Sequence, residues 1–180
     1  WNDISGNWHN WTPTAVTKLR VNQSEGGSYN GSSSYITVPD TVDLDQDFSI
    51  SLWFNTDLLD TNNHYIYTWY DTRDVSIIFI WASSVLRFQF WTWTLYTVDI
   101  PYSSLSTWIS YHLVCTRDKI NWLEIFLDWV STDTNPFTWN ANTTTTTNNI
   151  WRHPSSWSYY NWKIIQPKIR NRALSSKEVE

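Results

Sequence analysis

Glu124 and Asp128 are the nearest pair of carboxylates on one face of a predicted strand, and paired carboxylates are what hydrolysis of a glycosidic bond needs. Four residues at about 3.3 Å each place them roughly 13 Å apart, beyond the roughly 5 to 9.5 Å that either geometry of that reaction uses. They read as solvent-facing or turn residues. Serine, threonine and histidine are present, but no G-x-S-x-G nucleophile elbow occurs. His9, His64, His112 and His153 lack metal-ligand spacing, and His112 reads as a residue that packs or hydrogen-bonds on a sheet. Asp43-x-Asp45-x-Asp47 starts like a calcium loop, yet Phe48 stands where that loop needs Gly and Phe54 where it needs a bidentate Glu, which excludes an EF-hand. Ligand recognition is the chemistry left. Sugar binding takes planar faces for C–H stacking and fork-like donors for hydroxyls, and the loop-borne candidates are Tyr70, Asp71, Arg73 and Asp74 in one run, Arg152-His153, Tyr102 and Tyr159. The plain alternative makes Asp71, Arg73 and Asp74 an exposed charged turn.

The elements that must position these residues are strands, because period-two alternation recurs along the chain and helical periodicity almost nowhere. In 48–54, Phe48, Ile50, Leu52 and Phe54 point one way and Ser49, Ser51 and Trp53 the other. Leu86, Phe88 and Phe90 alternate with Arg87 and Gln89; Ile109, Tyr111, Leu113 and Cys115 with Ser110, His112 and Thr116; Leu123, Ile125 and Leu127 with Glu124, Phe126 and Asp128. The last two runs form a hairpin. Further strands are expected over 35–38, 65–68, 75–80, 95–100 and 163–170. Many short strands at this spacing predict an all-β, two-sheet antiparallel sandwich. Ser175 with Glu178 three residues on is a capping box for a short helical turn near the C-terminus, and the run 143–147 reads as a polar loop.

The composition narrows the partners. With 41% hydrophobic, 18% aromatic and 16% charged residues the chain can fill a core. Twelve basic against 17 acidic residues, net −5, leave no basic run to track phosphates, so nucleic acid is not an expected partner. The longest apolar stretches, such as 77–81, fall far short of the roughly 20 residues of a membrane helix, so direct membrane insertion is not expected. No signal-peptide pattern opens the chain. Trp1-Asn2-Asp3 reads as the middle of a segment, and the chain is read as one domain over 1–180, excised from a longer protein. Cys115, alone in an apolar run, reads as a core residue and leaves the compartment open.

Fifteen Trp against 4 Gly is the anomaly. Five Trp follow Asn or Asp at turns: Trp8, Trp11, Trp122, Trp129 and Trp162. Asn-Gly and Asp-Gly are the usual hairpin signals because both central residues need positive φ, which a bulky side chain adopts only with strain. Trp69, Trp81, Trp91, Trp93, Trp108, Trp139, Trp151 and Trp157 likewise fall at strand ends or in loops, and Trp53 alone sits mid-strand. Reading fourteen of the fifteen as glycine would raise Gly from about 2% to about 10%, against a usual share of about 7%. A codon such as UGA, which different genetic codes read as Trp or as Gly, would produce this pattern. The alternative is a natural Trp-rich surface in which Trp69, Trp91, Trp93 and Trp157 are stacking platforms for sugars. The recoding predicts Trp53 packed in the sheet and Trp8, Trp122, Trp129 and Trp162 at exposed turns.

With glycine at those positions the chain resembles, over nearly its whole length, the laminin-G-like jelly-roll domains of the concanavalin-A-like lectin and glucanase superfamily. The carrying segments are Asn2-Asp3-Ile4-Ser5-Gly6-Asn7-Trp8-His9-Asn10-Trp11-Thr12, similar to N-D-x-S-G-N-G-x-x-G-T; Tyr29-Asn30-Gly31 through Tyr35-Ile36-Thr37-Val38, similar to F-D-G-x-x-x-Y-V-x-V; and Phe48-Ser49-Ile50-Ser51-Leu52-Trp53-Phe54, similar to F-T-I-S-x-W-V. Tyr111-His112-Leu113-Val114-Cys115-Thr116 resembles W-H-H-V-A-x-T, and 123–130 resembles L-x-L-Y-V-D-G-V. Ile150-Trp151-Arg152 and Asn171-Arg172-Ala173-Leu174-Ser175 resemble I-G-R and the closing N-R-A-L-S.

The resemblance implies a module of a longer extracellular or cell-surface protein, sugar-binding or adhesive. A glycosidase of this fold would carry an E-x-D-x-x-E strand, and none is present. A calcium site in the family forms between the opening segment and an acidic pair on the last strand. Here Gln166 and Pro167 replace that pair, which counts against bound calcium and leaves Asp3, Asn7 and Asp43 as its fallback ligands. The expectation is a noncatalytic carbohydrate- or glycoconjugate-binding module of a secreted or surface protein, bacterial or phage-associated, whose partners are glycans or a surface protein. The alternative is an adhesive protein-contact module with no sugar site; a glycoside hydrolase comes last.

Overall fold

The alternation in 48–54 becomes strand β5 (Phe48–Thr56), and the molecule is assembled around it. Phe48, Ile50, Leu52 and Phe54 are all buried in one core cluster, as their shared face requires. A computed structural model of the chain describes residues 12–21, 24–30, 33–38, 46–56, 63–69, 75–91, 94–136, 148–150 and 162–179. Two seven-stranded sheets are present. The first orders β1 (Thr12–Thr14), β4 (Tyr35–Val38), β13 (Asn148–Ile150), β6 (His64–Trp69), β7 (Val75–Ile80), β8 (Val85–Trp91) and β9 (Leu95–Pro101). The second orders β12 (Val130–Pro136), β11 (Trp122–Leu127), β10 (Ser110–Asp118), β5, β14 (Trp162–Arg170), β3 (Ser24–Ser28) and β2 (Thr17–Val21). Each pairing is antiparallel, which gives the expected jelly-roll sandwich.

The two inner faces meet through aromatic contacts. Phe54 packs edge-on against Phe79 of β7 at 5.8 Å, and Phe48 against Phe88 of β8 at 6.3 Å. Such pairs are worth about 0.5–1.5 kcal/mol beyond the area they bury. Cys115 lies in this core, as its apolar run implied, and burial pushes its thiol pKa well up. Arg117, on the same inward row, is fully buried. Its guanidinium lies 4.8 Å over the Phe90 ring and donates to the Gln46 carbonyl at 2.8 Å, so the charge is held by a ring face and a backbone dipole. Along one side the sheet edges are tied together. The Asp99 N–H donates to Asp133 at 2.9 Å, and Asn135 donates to the Thr97 carbonyl at 2.9 Å.

Strands with an apolar row were legible from sequence; β1, β2, β3, β12 and β13 were not. β1 (Thr-Pro-Thr) and β12 are polar edge strands with exposed side chains, so no buried face imprints an alternation on them. In β3, Gly26 is required by close approach, since a side chain there would collide with the Ile164 carbonyl of β14. Ile109, grouped by alternation with the inward row of β10, precedes the strand and is exposed. One half of the expected capping box is present at the helical turn α1 (Ser176–Val179): Glu178 accepts from the Ser175 N–H at 3.0 Å and its hydroxyl at 2.9 Å, while the Glu178 N–H donates to the Ser175 carbonyl at 2.9 Å. Those bonds, with the Arg172 guanidinium, hold the Glu178 carboxyl down at about 2. The run 143–147 lies outside the described residues.

The tryptophan expectations divide. Asp128 and Trp129 form the two-residue β11–β12 turn with φ of 47° and 69°, the left-handed pair of a type I′ hairpin. Trp129 is exposed, and Trp108, also at a turn, holds φ 68°. Trp122 and Trp162 depart from expectation. Each is the first residue of a paired strand, opposite Pro136 and Thr56, and Trp122 is half-buried with its indole N–H donating to Glu124. Strand pairing there needs extended backbone, so no positive φ arises. Trp53 sits mid-strand, half-buried; Trp8 lies outside the described residues.

Candidate functional site

The outward row of β5 faces away from the core, and its two ends differ in what covers them. At one end Ser49 pairs across the sheet with Thr116 of β10, and their hydroxyls lie 2.9 Å apart. Ser49 donates to the Arg172 carbonyl at 2.8 Å and accepts from the Leu174 N–H at 2.9 Å. These bonds fix the C-terminal segment on the sheet, where Leu174 and Val179 bury Val114 and Phe126. Phe126, alternating with the inward row, is therefore covered from outside.

At the other end the register sets Trp53 of β5 directly opposite His112 of β10. Their rings lie 5.0 Å apart, tilted by 34°. Trp129 completes the cluster, 5.6 Å edge-on from Trp53 and 5.5 Å from His112. The β11–β12 turn anchors this arrangement: Asp128 accepts from the His112 N–H at 2.8 Å and donates its own N–H to the His112 carbonyl at 2.9 Å. Next to Trp53, β14 places Ile165 opposite it and, past a bulge, Lys168 opposite Ser51. The bulge carries Gln166 at φ 49°, and Arg170 beyond it donates to the Ser51 hydroxyl at 3.1 Å.

Burial disfavours the charged form of this imidazole. Burial lowers the His112 pKa below the ordinary imidazole value; Asp128 pulls it up, while Lys168 and Arg170 push it further down. His112 Nδ1 is buried without a hydrogen-bond partner. The result is an indole tilted against an imidazole, a second indole edge-on to the first, and a cationic flank on the outer sheet face, an arrangement suited to holding a planar or ring-shaped ligand.

Glu124 and Asp128 are committed to structure. Glu124 is 8% exposed, so it is not the solvent-facing residue expected. It accepts from the Trp122 indole at 2.7 Å and the Ser131 hydroxyl at 2.5 Å, which is what makes its burial affordable. Asp128 is the expected turn residue. Asp47 accepts from the Lys119 N–H at 2.7 Å and so braces the β10–β11 hairpin.

Of the loop residues expected to recognise sugar, Tyr102 alone is described. It follows β9, donates its backbone N–H to the Ser84 carbonyl at 2.9 Å and packs on Phe79 at 5.9 Å. That puts it at the Ile80–Val85 end of the first sheet, whereas the strand ends flanking 70–74, Trp69 and Val75, pair at the opposite end. Tyr70, Asp71, Arg73, Asp74, Arg152, His153 and Tyr159 lie outside the described residues, as do Asp3, Asn7 and Asp43. Trp91 is exposed at the end of β8; Trp93 and Trp157 lie outside. At the calcium position implied by the family, Gln166 and Pro167 offer carbonyl oxygens in place of the acidic pair, so this strand contributes no carboxylate. Among the described residues no helix is long and apolar enough to cross a membrane.

The family profile of the concanavalin A-like lectin/glucanases superfamily, laminin-G type, matches residues 30–180. The chain belongs to that family. No curated protein matches it in sequence. Among solved structures it is similar to domain 4 of AbnA, an extracellular arabinanase of Geobacillus stearothermophilus, in complex with arabinotriose, with TM-score 0.79 and 16% identity over 99% of this chain and 90% of that one. It is also similar to the receptor-binding domain of botulinum neurotoxin C/D mosaic serotype (TM-score 0.82, 12% identity, 99% and 46% covered). A botulinum neurotoxin type C structure, whose cell entry depends on interaction with two ganglioside molecules, gives TM-score 0.77 at 16% identity, 98% and 46% covered. The laminin-G chain thus spans about half the length of the toxin structures and nearly all of the arabinanase domain.

Trp53 and His112 were not singled out for recognition from sequence, although the signal existed: two adjacent alternating strands with an aromatic and an imidazole on their polar rows. Because folding lowers the His112 pKa, the unfolded chain binds the proton first, and stability falls as pH drops below about 6.5. Urea unfolding at pH 7.5 and pH 5 is expected to show this loss, with His112→Gln reducing it; an unchanged pH dependence in the variant would contradict the assignment.

Proposed function

We propose that this laminin-G-like domain is a noncatalytic carbohydrate- or glycoconjugate-binding module of a secreted or cell-surface protein. The observation that carries the reading is the Trp53–His112 pair on the outer sheet face of a fold whose similar structures include an arabinotriose-bound domain over 90% of its length. Commitment of Glu124 and Asp128 to indole, hydroxyl and backbone donors supports a noncatalytic role. A glycan array that includes arabino-oligosaccharides tests this. Saturable binding to a defined glycan, without hydrolysis, is expected. Binding to none would favour the adhesive protein-contact reading.

We infer in addition that glycine stands in the native chain at turn positions written here as tryptophan. Trp108 and Trp129 support this, since they hold φ of 68° and 69°, a region costing an L-residue roughly 1–2 kcal/mol and glycine little. Trp108 is 69% exposed, so packing offsets little of that cost. Trp108→Gly is expected to raise unfolding free energy by about 1 kcal/mol, and peptides of the native protein that span residues 108 and 129 to carry the mass of glycine there. Native peptides with tryptophan at both positions would overturn the inference.

A further inference from the structure

The charge on the outward row of β14 is one-sided. In a chain of net charge −5, Lys163, Lys168 and Arg170 all alternate onto the same face as Ile165, opposite Asn55, Ser51 and Ser49 in the β5 register. Lys163 and Lys168 are exposed, and Arg170 is oriented by the Ser51 hydroxyl. Two acidic groups on the Trp53–His112 side of this sheet are already engaged: Asp128 holds the His112 N–H and Glu124 holds Trp122 and Ser131. A cationic flank therefore borders the stacked rings of Trp53 and His112. A ligand that lays a ring on Trp53 while presenting an anion 51-ward, toward β14, would satisfy both features.

We propose that this face selects acidic sugars: a carboxylate-bearing saccharide unit stacks on Trp53 and His112 and directs its carboxylate to Lys168 and Arg170. This rests on the glycan-binding reading and adds the ligand class to it. It does not depend on residue 129, because Trp53 and His112 contact each other directly. The carboxylate replaces water at two partly solvated cations, so the preference weakens as salt screens it.

Calorimetric titration of the whole chain with matched pairs tests the proposal: 3′-sialyllactose against lactose, and trigalacturonate against galactotriose. Whichever source of carboxylate fits, the acidic member is expected to bind at least tenfold more tightly than its neutral partner at low salt. Lys168→Glu combined with Arg170→Gln, both on the sheet surface, should reduce that ratio below threefold with thermal unfolding still cooperative. Equal binding of acidic and neutral members, or a preference that survives the double variant, would overturn this proposal and leave the glycan reading standing. No binding of any saccharide in the array or in these titrations would contradict both.

Discussion

Burial of the inward row of β5 is the constraint on which the remaining structure depends. Phe48, Ile50, Leu52 and Phe54 must leave water together, and a strand lets them do so only by turning Ser49, Ser51 and Trp53 to the opposite face. β10 and β14 pair on either side of β5, and the opposing sheet supplies Phe79 and Phe88 as its partners. A slip of one residue in the β5–β10 register would exchange the two rows. It would bury the serines and Trp53, and it would separate Trp53 from His112.

The outward face inherits its division of labour from that register. Ser49 and Thr116, too polar to pack on anything apolar unaided, become the hydrogen-bonding bracket for the C-terminal segment. Farther along the same strands, Trp53 and His112 meet no such cover and stack on each other. The β11–β12 turn then fixes His112 through paired backbone and carboxylate bonds to Asp128, while the bulge after Ile165 resets β14 so that Lys168 and Arg170 stand beside the rings. The proposed recognition and the observed anchoring of the C-terminal segment are thus two uses of one row of side chains.

Much of this was legible in the sequence because burial writes a period of two. β4 and β7 were read with their observed ends, and β5, β8, β9, β10, β11 and β14 within one or two residues. The polar edge strands escaped because nothing on them is buried. Trp129 was read as a turn residue from the Asp before it, and its positive φ follows from the two-residue hairpin; Trp122 and Trp162 were misread because Asn before Trp marks a turn only when the loop places both residues outside the ladder. The site was less legible. Loop tyrosines, arginines and aspartates are the usual carriers of recognition, and that rule pointed to loop residues of which Tyr102 alone is described, packed on Phe79. The pairing of Trp53 with His112 is a cross-strand relation, 59 positions apart along the chain, and single-strand alternation does not reveal which residues face each other.

The central claim is that ligand is held on the outer sheet face and not at the loops. Following the Trp53 indole N–H and the His112 ring protons by NMR while the tightest saccharide from the array is added measures this directly. The account predicts that both sets of resonances shift in step with occupancy, together with the backbone amides of Ser51 and Lys168. Shifts confined to residues at the rim of the sandwich, with Trp53 and His112 unmoved at saturation, would contradict it.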